Sequence, residues 1–310
     1  MTIPRFQILP LADHQVAFRI AGRECVRWHF GRQYPRPFFF PLVGPAGESL
    51  TRMGHPGDAG HDHHRSVWFA HHSVAGHDFW SEHGRTTIEQ RRWLCYQDGE
   101  QQAAMAVQLA WLDPERRELL RQDLVAVVRE KCGLRSSSAP GEWCLELQSQ
   151  FTPADKAVAV ELGKTNFGFL AVRMAKTVAA YFGDGRIRSS EGQQGEPEIF
   201  GRRASWMDYS GSVRADAVEG ITYFDHPANP HYPAAWHVRE DGWMGASFNR
   251  ENAYSISAEQ PLQLRYLLHV HRGPLDAGRA SAIAAEFAHR PACRVIKSTK
   301  KHTGHEIEFD

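Results

Sequence analysis

Alternation of apolar and polar residues with a period of two runs through almost the whole chain and limits the possible folds more than any other feature. Residues 15–20 and 24–30 alternate on either side of a short turn and predict an opening hairpin. Similar segments predict further strands at 66–70, 90–97, 104–112, 119–130, 143–151, 158–162, 169–175, 220–224, 244–248 and 262–271. A chain with this many strands is expected to bury their apolar faces between two sheets.

Only one segment has convincing helical spacing. Asp276 can cap a helix over residues 277–289, which is rich in alanine and is followed by Pro291. We therefore predict an all-β protein, a large antiparallel β-sandwich with one C-terminal helix. No repeat or linker divides it, so residues 1–310 are interpreted as a single domain. The tail 297–310 is polar and is expected to be partly mobile.

Composition bears on the class of partner and on the compartment. The 36 basic residues balance 36 acidic residues, whereas nucleic-acid binders usually carry a basic excess. No apolar run approaches the roughly 20 residues that cross a bilayer, and the first residues do not resemble a secretory signal. The five scattered cysteines form no C-x-x-C pair. We expect a cytoplasmic protein with reduced cysteines and with no nucleic-acid or membrane partner; a homo-oligomer stays open.

Histidines are concentrated in one segment, where eight of the 18 lie between His55 and His83. Imidazole suits proton transfer near neutral pH and hydrogen bonding to hydroxyls, and tryptophan rings suit the C–H faces of sugars. The segment therefore predicts a polar, aromatic pocket. Its contributors are expected to be His61, His63, His64, Arg65 and Trp80. The simpler role of bonding to turn backbones is assigned to His55, His71 and His83.

Two later segments are candidates for the rest of the pocket. Residues 224–239 hold histidine, asparagine and tryptophan among three prolines, which reduce the entropy lost when a loop is fixed. We interpret this segment as a second wall, contributed by His226, Asn229, Trp236 and His237. In a third, glycine-rich segment, residues 191–211, Trp206 is the candidate for lining the cavity, although its charged neighbours could simply pair with one another.

A metal centre is the weaker interpretation of the histidines. His61 and His63 would share one face of an extended chain, but a third ligand must come from elsewhere, and no H-E-x-x-H motif is present. We expect no tightly bound metal. No glycine-rich phosphate loop or βαβ fingerprint is present either, so no nucleotide cofactor is expected.

Five segments together resemble a known family. They occur in the family's order, within about residues 10–275, at 36–42, 63–71, 76–80, 203–211 and 224–230. The chain resembles the bacterial family named PmoA-like, or "methane oxygenase PmoA", whose function is unknown. The methane monooxygenase subunit of that name is a membrane protein, so the name is not taken literally.

The resemblance implies an architecture similar to the galactose-mutarotase supersandwich, which binds sugars on a concave face. Mutarotases pair an imidazole acid with a carboxylate base late in the chain. By this analogy of fold, the catalytic pair would be His63 or His64 with Glu259, and Arg36 with the aromatic residues 38–40 would supply part of the pocket floor.

These observations predict a carbohydrate-active protein of sugar catabolism. Its chemistry would be acid–base catalysis by histidine, as in an epimerase, a mutarotase-like enzyme, or a lyase or hydrolase acting on an oxidised sugar. Its partner would be a small carbohydrate. Two alternatives stay open: a non-catalytic sugar-binding or sensing protein, and a metal-dependent enzyme that uses histidine ligands.

Overall fold

The computed structural model describes residues 3–133 and 139–309. It is about 49% strand and 7% helix, which confirms the predicted all-β class. Residues 136–141, whose serines, proline and glycine predict a turn-rich loop, lie partly outside the described residues. The strands are β1 Phe6–Leu11, β2 Gln15–Ile20, β3 Arg23–His29, β4 Phe38–Leu42, β5 Val67–His71, β6 Thr87–Gln97, β7 Gln102–Leu112, β8 Glu118–Arg129, β9 Trp143–Pro153, β10 Val160–Leu162, β11 Gly168–Arg173, β12 Arg186–Ser189, β13 Trp206–Arg214, β14 Ala217–Asp225, β15 Ala235–Arg239, β16 Trp243–Ser247, β17 Tyr254–Ile256, β18 Leu262–Arg272, β19 Arg294–Lys297 and β20 His305–Glu308. The α-helices are α1 Gly195–Ile199 and α2 Ala277–His289.

Two eight-stranded antiparallel sheets form the sandwich. The first has the order β1-β2-β3-β4-β5-β11-β16-β15, and the second has the order β12-β13-β14-β18-β9-β8-β7-β6. Alternate residues of both sheets meet in one continuous core that includes Trp28, Trp111 and Tyr266. Since successive side chains of a strand point to opposite sides, the remaining residues of each strand form an outer face. The two outer faces are covered differently.

Helix α2 covers part of the outer face of the second sheet. It has the bounds that the sequence predicts, and the Asp276 carboxylate accepts the backbone N–H of Arg279 as an N-cap. Its apolar side packs Ile283 and Phe287 into a cluster with Trp206, Phe224 and Leu267. The very short helix α1 was not predicted.

The C-terminal tail contains structure that the sequence did not predict. Strands β19 and β20 pair as a hairpin, and Ile307 packs with Ala104 and Val125 of β7 and β8. Both strands have only four residues, too few for alternation to be recognised.

The prediction that all five cysteines are reduced is wrong for two of them. Cys132 and Cys144 form a disulfide with a Cα–Cα distance of 5.6 Å. Cys144 lies opposite Arg129 in the β8–β9 ladder, and the chain beyond β8 returns Cys132 to its side. The remaining three, Cys25, Cys95 and Cys293, are free thiols.

Candidate functional site

The site lies on the outer face of the first sheet. A row of neighbouring residues crosses five strands here: Phe38 pairs with Trp68, Trp68 with Ala171, Ala171 with Gly245, and Gly245 with His237. The flanking residues of each strand point into the core instead. The small residues at 171 and 245 leave room above the sheet. The Trp243 ring occupies part of that room, because its Cζ2 atom would lie 3.6 Å from a Cβ added at Gly245.

A cavity of about 350 Å³ opens above this floor. We call it the pocket, and its lining combines imidazole and aromatic rings with one carboxylate and two guanidinium groups. The lining residues are His61, His63, His64, His72, Trp80, Ser81, Phe167, Arg173, His237, Arg239, Asp241 and Trp243. The structure thus brings His61, His63, His64 and Trp80 together with His237, which the sequence placed in a separate segment.

Two loops form the walls of the pocket, and Arg36 joins them. The Arg36 guanidinium donates hydrogen bonds to the carbonyls of Phe79 (2.8 Å) and Trp80 (2.8 Å) in one loop and of His63 (3.1 Å) in the other. It also forms an ion pair with Glu82. The side chain is 2% exposed and is not among the lining residues, so the structure places Arg36 behind the walls and not on the floor. Arg36 holds the two walls from behind.

Arg65 also lies behind the walls. It forms an ion pair with Glu82, the same carboxylate that binds Arg36. Its guanidinium lies over the Tyr34 ring at 5.2 Å from the centroid. Arg65 therefore contacts residues that hold the loop from behind, and it does not line the pocket.

The imidazole rings of the first loop lie in contact with one another beside Trp243. The ring centroid of His64 lies 4.3 Å from that of His63, 5.0 Å from that of His61 and 4.9 Å from that of Trp243. The centroid of His237 lies 5.6 Å from that of Trp243. Trp243 therefore contacts imidazoles from two distant segments of the chain.

Several of these imidazoles are neutral at pH 7. Burial, followed by the positive charge of Arg36, lowers the pKa of His63 to about 4. Burial, followed by the charge of Arg173, lowers the pKa of His64 far below its ordinary value. Burial also lowers the pKa of His237 to about 4. A neutral imidazole can accept a proton, which a protonated imidazole cannot do.

Carboxylates orient other groups at the pocket. The Asp58 carboxylate lies 2.7 Å from Nδ1 of His61. Arg173 forms two hydrogen bonds, of 2.8 and 3.0 Å, with the carboxylate of Asp241. The same carboxylate lies 3.1 Å from Nε2 of His55, whose Nδ1 accepts the N–H of Gly57. Although burial raises it, the contacts with Arg173 lower the pKa of Asp241 below its ordinary value, so the arginine has an ionised partner.

Four buried polar atoms of lining residues have no hydrogen-bond partner within residues 3–133 and 139–309. They are Nδ1 of His64, Nε of Arg173, Nε2 of His237 and Nε1 of Trp243. Buried polar groups in native proteins are nearly always bonded, and exceptions are frequently functional. Their occurrence in one pocket supports its assignment as the candidate site.

Two residues of the predicted second wall lie away from the pocket. Nε2 of His226 lies 3.2 Å from the carbonyl of Phe287 in α2. The Asn229 amide donates to Asp225 (2.7 Å) and to the carbonyl of Arg265 (2.8 Å). The structure therefore places both residues with the second sheet and α2.

The two remaining aromatic candidates are also buried elsewhere. Trp236 precedes His237 in β15, so it points to the opposite side and packs in the core, where its Nε1 donates to the carbonyl of Ala204. Trp206 lies beneath α2. The structure thus does not bring these two rings to the pocket.

Glu259 lies in an exposed turn before β18. Its carboxylate accepts the hydroxyl of Ser257 at 3.0 Å. The pairing of His63 or His64 with this carboxylate, which the fold analogy implied, is not present in the structure. The carboxylate among the lining residues is that of Asp241.

Several lining residues were not predicted from the sequence. Trp243 begins β16 one residue before the predicted segment, and Arg173 ends β11 inside its predicted segment but was not recognised as a site residue. Once the order of the strands in the sheet is known, alternation indicates that both residues share a face with Gly245 and Ala171. Phe167 lies in a loop and carries no periodic signal.

The part of the chain that the structure describes contains no group of three or more His, Cys, Asp or Glu side chains arranged to hold a metal ion. It also contains no helix long and apolar enough to cross a membrane.

Comparison with known proteins adds one finding to this geometry. The model of a family described as "Family of unknown function (DUF6807)" matches residues 15–285. The chain belongs to this family. No curated protein matches the sequence. The matched range of the DUF6807 chain includes every lining residue of the pocket.

Proposed function

We propose that this DUF6807 protein binds a single sugar ring in the pocket and catalyses proton transfer on it. The observation that carries the proposal is the contact of neutral, buried imidazoles with an indole ring in one cavity. The reaction class is that of an epimerase, a mutarotase-like enzyme, or a lyase or hydrolase acting on an oxidised sugar.

The shape and lining of the pocket favour a small, ring-shaped ligand. Its volume of about 350 Å³ is at the lower end of the range of roughly 300–1,000 Å³ for small-molecule sites. The rings of Trp80 and Trp243 lie at 66° to each other with centroids 5.2 Å apart. Two indole faces at this angle can contact two sides of a sugar ring through its C–H groups, while imidazole nitrogens bond to its hydroxyls.

Imidazole supplies the chemistry of the proposal. General acid–base catalysis by a positioned side chain typically contributes about 10²–10⁴-fold to a rate. His63 and His64 are neutral at pH 7 and line the pocket, so each can hydrogen-bond to the substrate and take part in proton transfer beside a base. The PmoA-like and mutarotase-like resemblances belong to this proposal, and of the two the mutarotase-like one implies a sugar ligand.

A screen by ligand-observed NMR tests the proposal. Neutral sugars, 3-keto sugars and sugar acids are incubated with the protein, and both binding and new product signals are recorded. We expect at least one sugar to bind and to be converted. His63→Ala or His64→Ala should lower turnover by about 10²–10⁴-fold. His289→Ala, which removes an exposed histidine at the end of α2, is the matched control and should leave turnover unchanged.

Other outcomes of this screen would contradict parts of the proposal. Sugars that bind and stay chemically unchanged throughout would support a binding or sensing protein instead. About one transition-metal ion per chain, lost on changing His61 or His63 to alanine, would support the metal-dependent enzyme.

A cytoplasmic location is also part of the proposal, and the disulfide makes it testable. Disulfides are rare in the cytosol. Because Cys132 and Cys144 form a disulfide in the structure, a cytoplasmic location requires that this pair be reduced in intact cells. Alkylation of free thiols in intact cells, followed by mass spectrometry of peptides that contain the two residues, measures this. A fully oxidised pair would count against that location.

A further inference from the structure

The backbone fixes the tautomer of His237, the more buried of two pocket histidines with a backbone hydrogen bond; the other is His63, which bonds to Gly60. Nδ1 of His237 lies 3.2 Å from the carbonyl oxygen of Asn166. A carbonyl oxygen can only accept a hydrogen bond, so Nδ1 carries the proton. In the neutral ring the other nitrogen, Nε2, then holds a lone pair and can act as a base.

The surroundings of His237 keep this ring neutral and desolvated. The side chain is 3% exposed, and its ring contacts those of Phe167 (5.1 Å), Phe200 (5.2 Å) and Trp243 (5.6 Å). Nε2 has no hydrogen-bond partner among the described residues. Burial, followed by the charge of Arg239, lowers the pKa of His237 to about 4. A lining residue of the pocket therefore holds a buried lone pair that no described protein group binds.

His64 differs from His237 in this respect. Within the described parts of the chain, Nδ1 of the His64 ring is buried without a partner, and no backbone carbonyl fixes its tautomer. A base whose lone pair is held in one position is better prepared for proton transfer than one whose two tautomers compete.

We infer that Nε2 of His237 is the catalytic base that removes a proton from the carbon next to the carbonyl of a bound keto sugar. The inference rests on the proposed function and names its substrate class and its base. The C–H bond breaks, and the proton passes to Nε2. The electron pair of that bond forms the C=C bond of an enolate, and the carbonyl oxygen takes the negative charge. Return of a proton to the same carbon exchanges it with solvent or inverts it.

The charge that develops in this step favours the reaction. The product pair is an imidazolium beside an enolate, and a neighbouring negative charge stabilises a protonated imidazole. Arg173 lines the same pocket, but its charge is balanced by the Asp241 carboxylate, so the stabilisation assigned here is that of the imidazolium–enolate pair itself. The low basicity of His237 in the free protein therefore does not describe its basicity in the transition state.

Proton exchange on a defined probe tests the inference. The protein is incubated with 3-keto-D-glucose in D₂O, and loss of the C–H signals next to the carbonyl is followed by ¹H NMR, with the buffer rate subtracted. His237→Gln should reduce the exchange rate by about 10²-fold or more, while the Kd of the probe changes by only a few fold.

His231 supplies a matched control. Its Nδ1 lies 2.9 Å from the carbonyl of Phe248, so it has the same type of backbone contact, but it does not line the pocket. His231→Gln should leave the exchange rate and the Kd unchanged.

A measurement on the unmodified protein keeps the inference testable if His237→Gln does not fold. ¹⁵N NMR of the histidine rings should show the Nδ1–H tautomer for His237 at pH 7. A proton on Nε2 instead would overturn the inference.

The possible results distinguish failure of this inference from failure of the proposed function. Exchange that persists in His237→Gln with the probe still bound overturns the role of His237 and leaves the sugar function standing. Absence of binding by the probe and by every sugar of the panel overturns the proposed function and this inference together.

Discussion

The outer faces of both sheets contain buried histidines, but the partners of the imidazole nitrogens differ between the two faces. Beside α2, on the second sheet, Nε2 of His271 lies 2.8 Å from the carboxylate of Asp208. Nε2 of His269 lies 3.7 Å from that of Glu142. In the pocket of the first sheet, buried nitrogens of His64 and His237 have no partner within the described residues.

This difference also appears in the charges of the rings. Although burial lowers it, the Asp208 carboxylate raises the pKa of His271 above its ordinary value. In the pocket, burial dominates and the pKa of His237 falls to about 4. His271 is thus held by a charged partner, whereas the buried nitrogen of His237 is available to a ligand. His269 is intermediate, because burial lowers its pKa although the Glu142 carboxylate lies beside it. Histidine content alone therefore does not identify a site.

The largest expected effect comes from the residue that joins the pocket walls. Arg36→Ala leaves three backbone carbonyls and the Glu82 carboxylate without their buried donor. Removing one partner of a buried ion pair typically costs about 3–5 kcal/mol of unfolding free energy. Urea denaturation measures this cost. Arg65→Ala, which removes a more exposed partner of the same Glu82, should cost clearly less. Equal effects of the two variants would show that Arg36 is not the main support.

Acidification should destabilise the protein through its neutral histidines. The folded-state pKa values of His71 and His237 are about 4, below the ordinary 6.5. Both histidines therefore bind protons more strongly in the unfolded chain than in the folded protein. Their full contribution to the free energy of unfolding is present above about pH 6.5 and is lost as the pH falls towards 4. By pH 5 each group should account for about 2 kcal/mol. Urea titrations at pH 7.5 and 5.0 should show this loss, and His237→Gln should reduce it. An unchanged pH dependence in that variant would contradict the neutral state of His237.

Removing a histidine that is paired with a carboxylate should lower the free energy of unfolding and should not change ligand affinity. His271→Ala removes a hydrogen bond to the buried Asp208 carboxylate, which still keeps the hydroxyls of Ser210 and Thr222. Hydrogen bonds to charged groups contribute about 1.5–3 kcal/mol, so a loss near 2 kcal/mol is expected in urea. The affinity for a sugar identified in the NMR screen should be that of the wild type. A large loss of affinity would show that the two faces are not independent.

The smallest effect is expected from the aromatic wall. Trp80→Ala should weaken sugar binding by about tenfold, because aromatic packing contributes about 0.5–1.5 kcal/mol beyond the area buried. The rate constant at saturating sugar should change little, since a stacking ring stabilises ground and transition states alike. Trp206→Ala, beneath α2, is the tryptophan control and should not alter affinity. Calorimetric titration with the same sugar decides between these outcomes.

Much of the fold could be predicted from the sequence because alternation and capping are local signals. Helix α2 has the predicted bounds, and β2 was predicted residue for residue. The strands that were missed are short, such as β17 and β20, or contain glycine and charged residues, as β13 does. In these strands local patterns are weak, and pairing with neighbouring strands determines the structure.

The site could be predicted only in part, because alternation tells which residues share a face but not which face is covered. The histidine-rich segment indicated His61, His63 and His64 as neighbours, and the structure places all three in the lining of the pocket. Trp236 and His237 were predicted together, yet consecutive residues of a strand cannot point to the same side. Which of them faces outward depends on the register of β15 with β16, and that register depends on contacts across the whole sheet.

The shared attachment of the two walls to Arg36 makes opening of the pocket a collective event. A movement that pulls the His63 loop away from the guanidinium also disturbs the anchor of the Phe79–Trp80 loop. Entry of a ligand would then be gated by one two-state process with a single rate and not by two independent flaps. Relaxation-dispersion NMR should report the same exchange rate for residues of both loops, on the microsecond-to-millisecond scale typical of such motions.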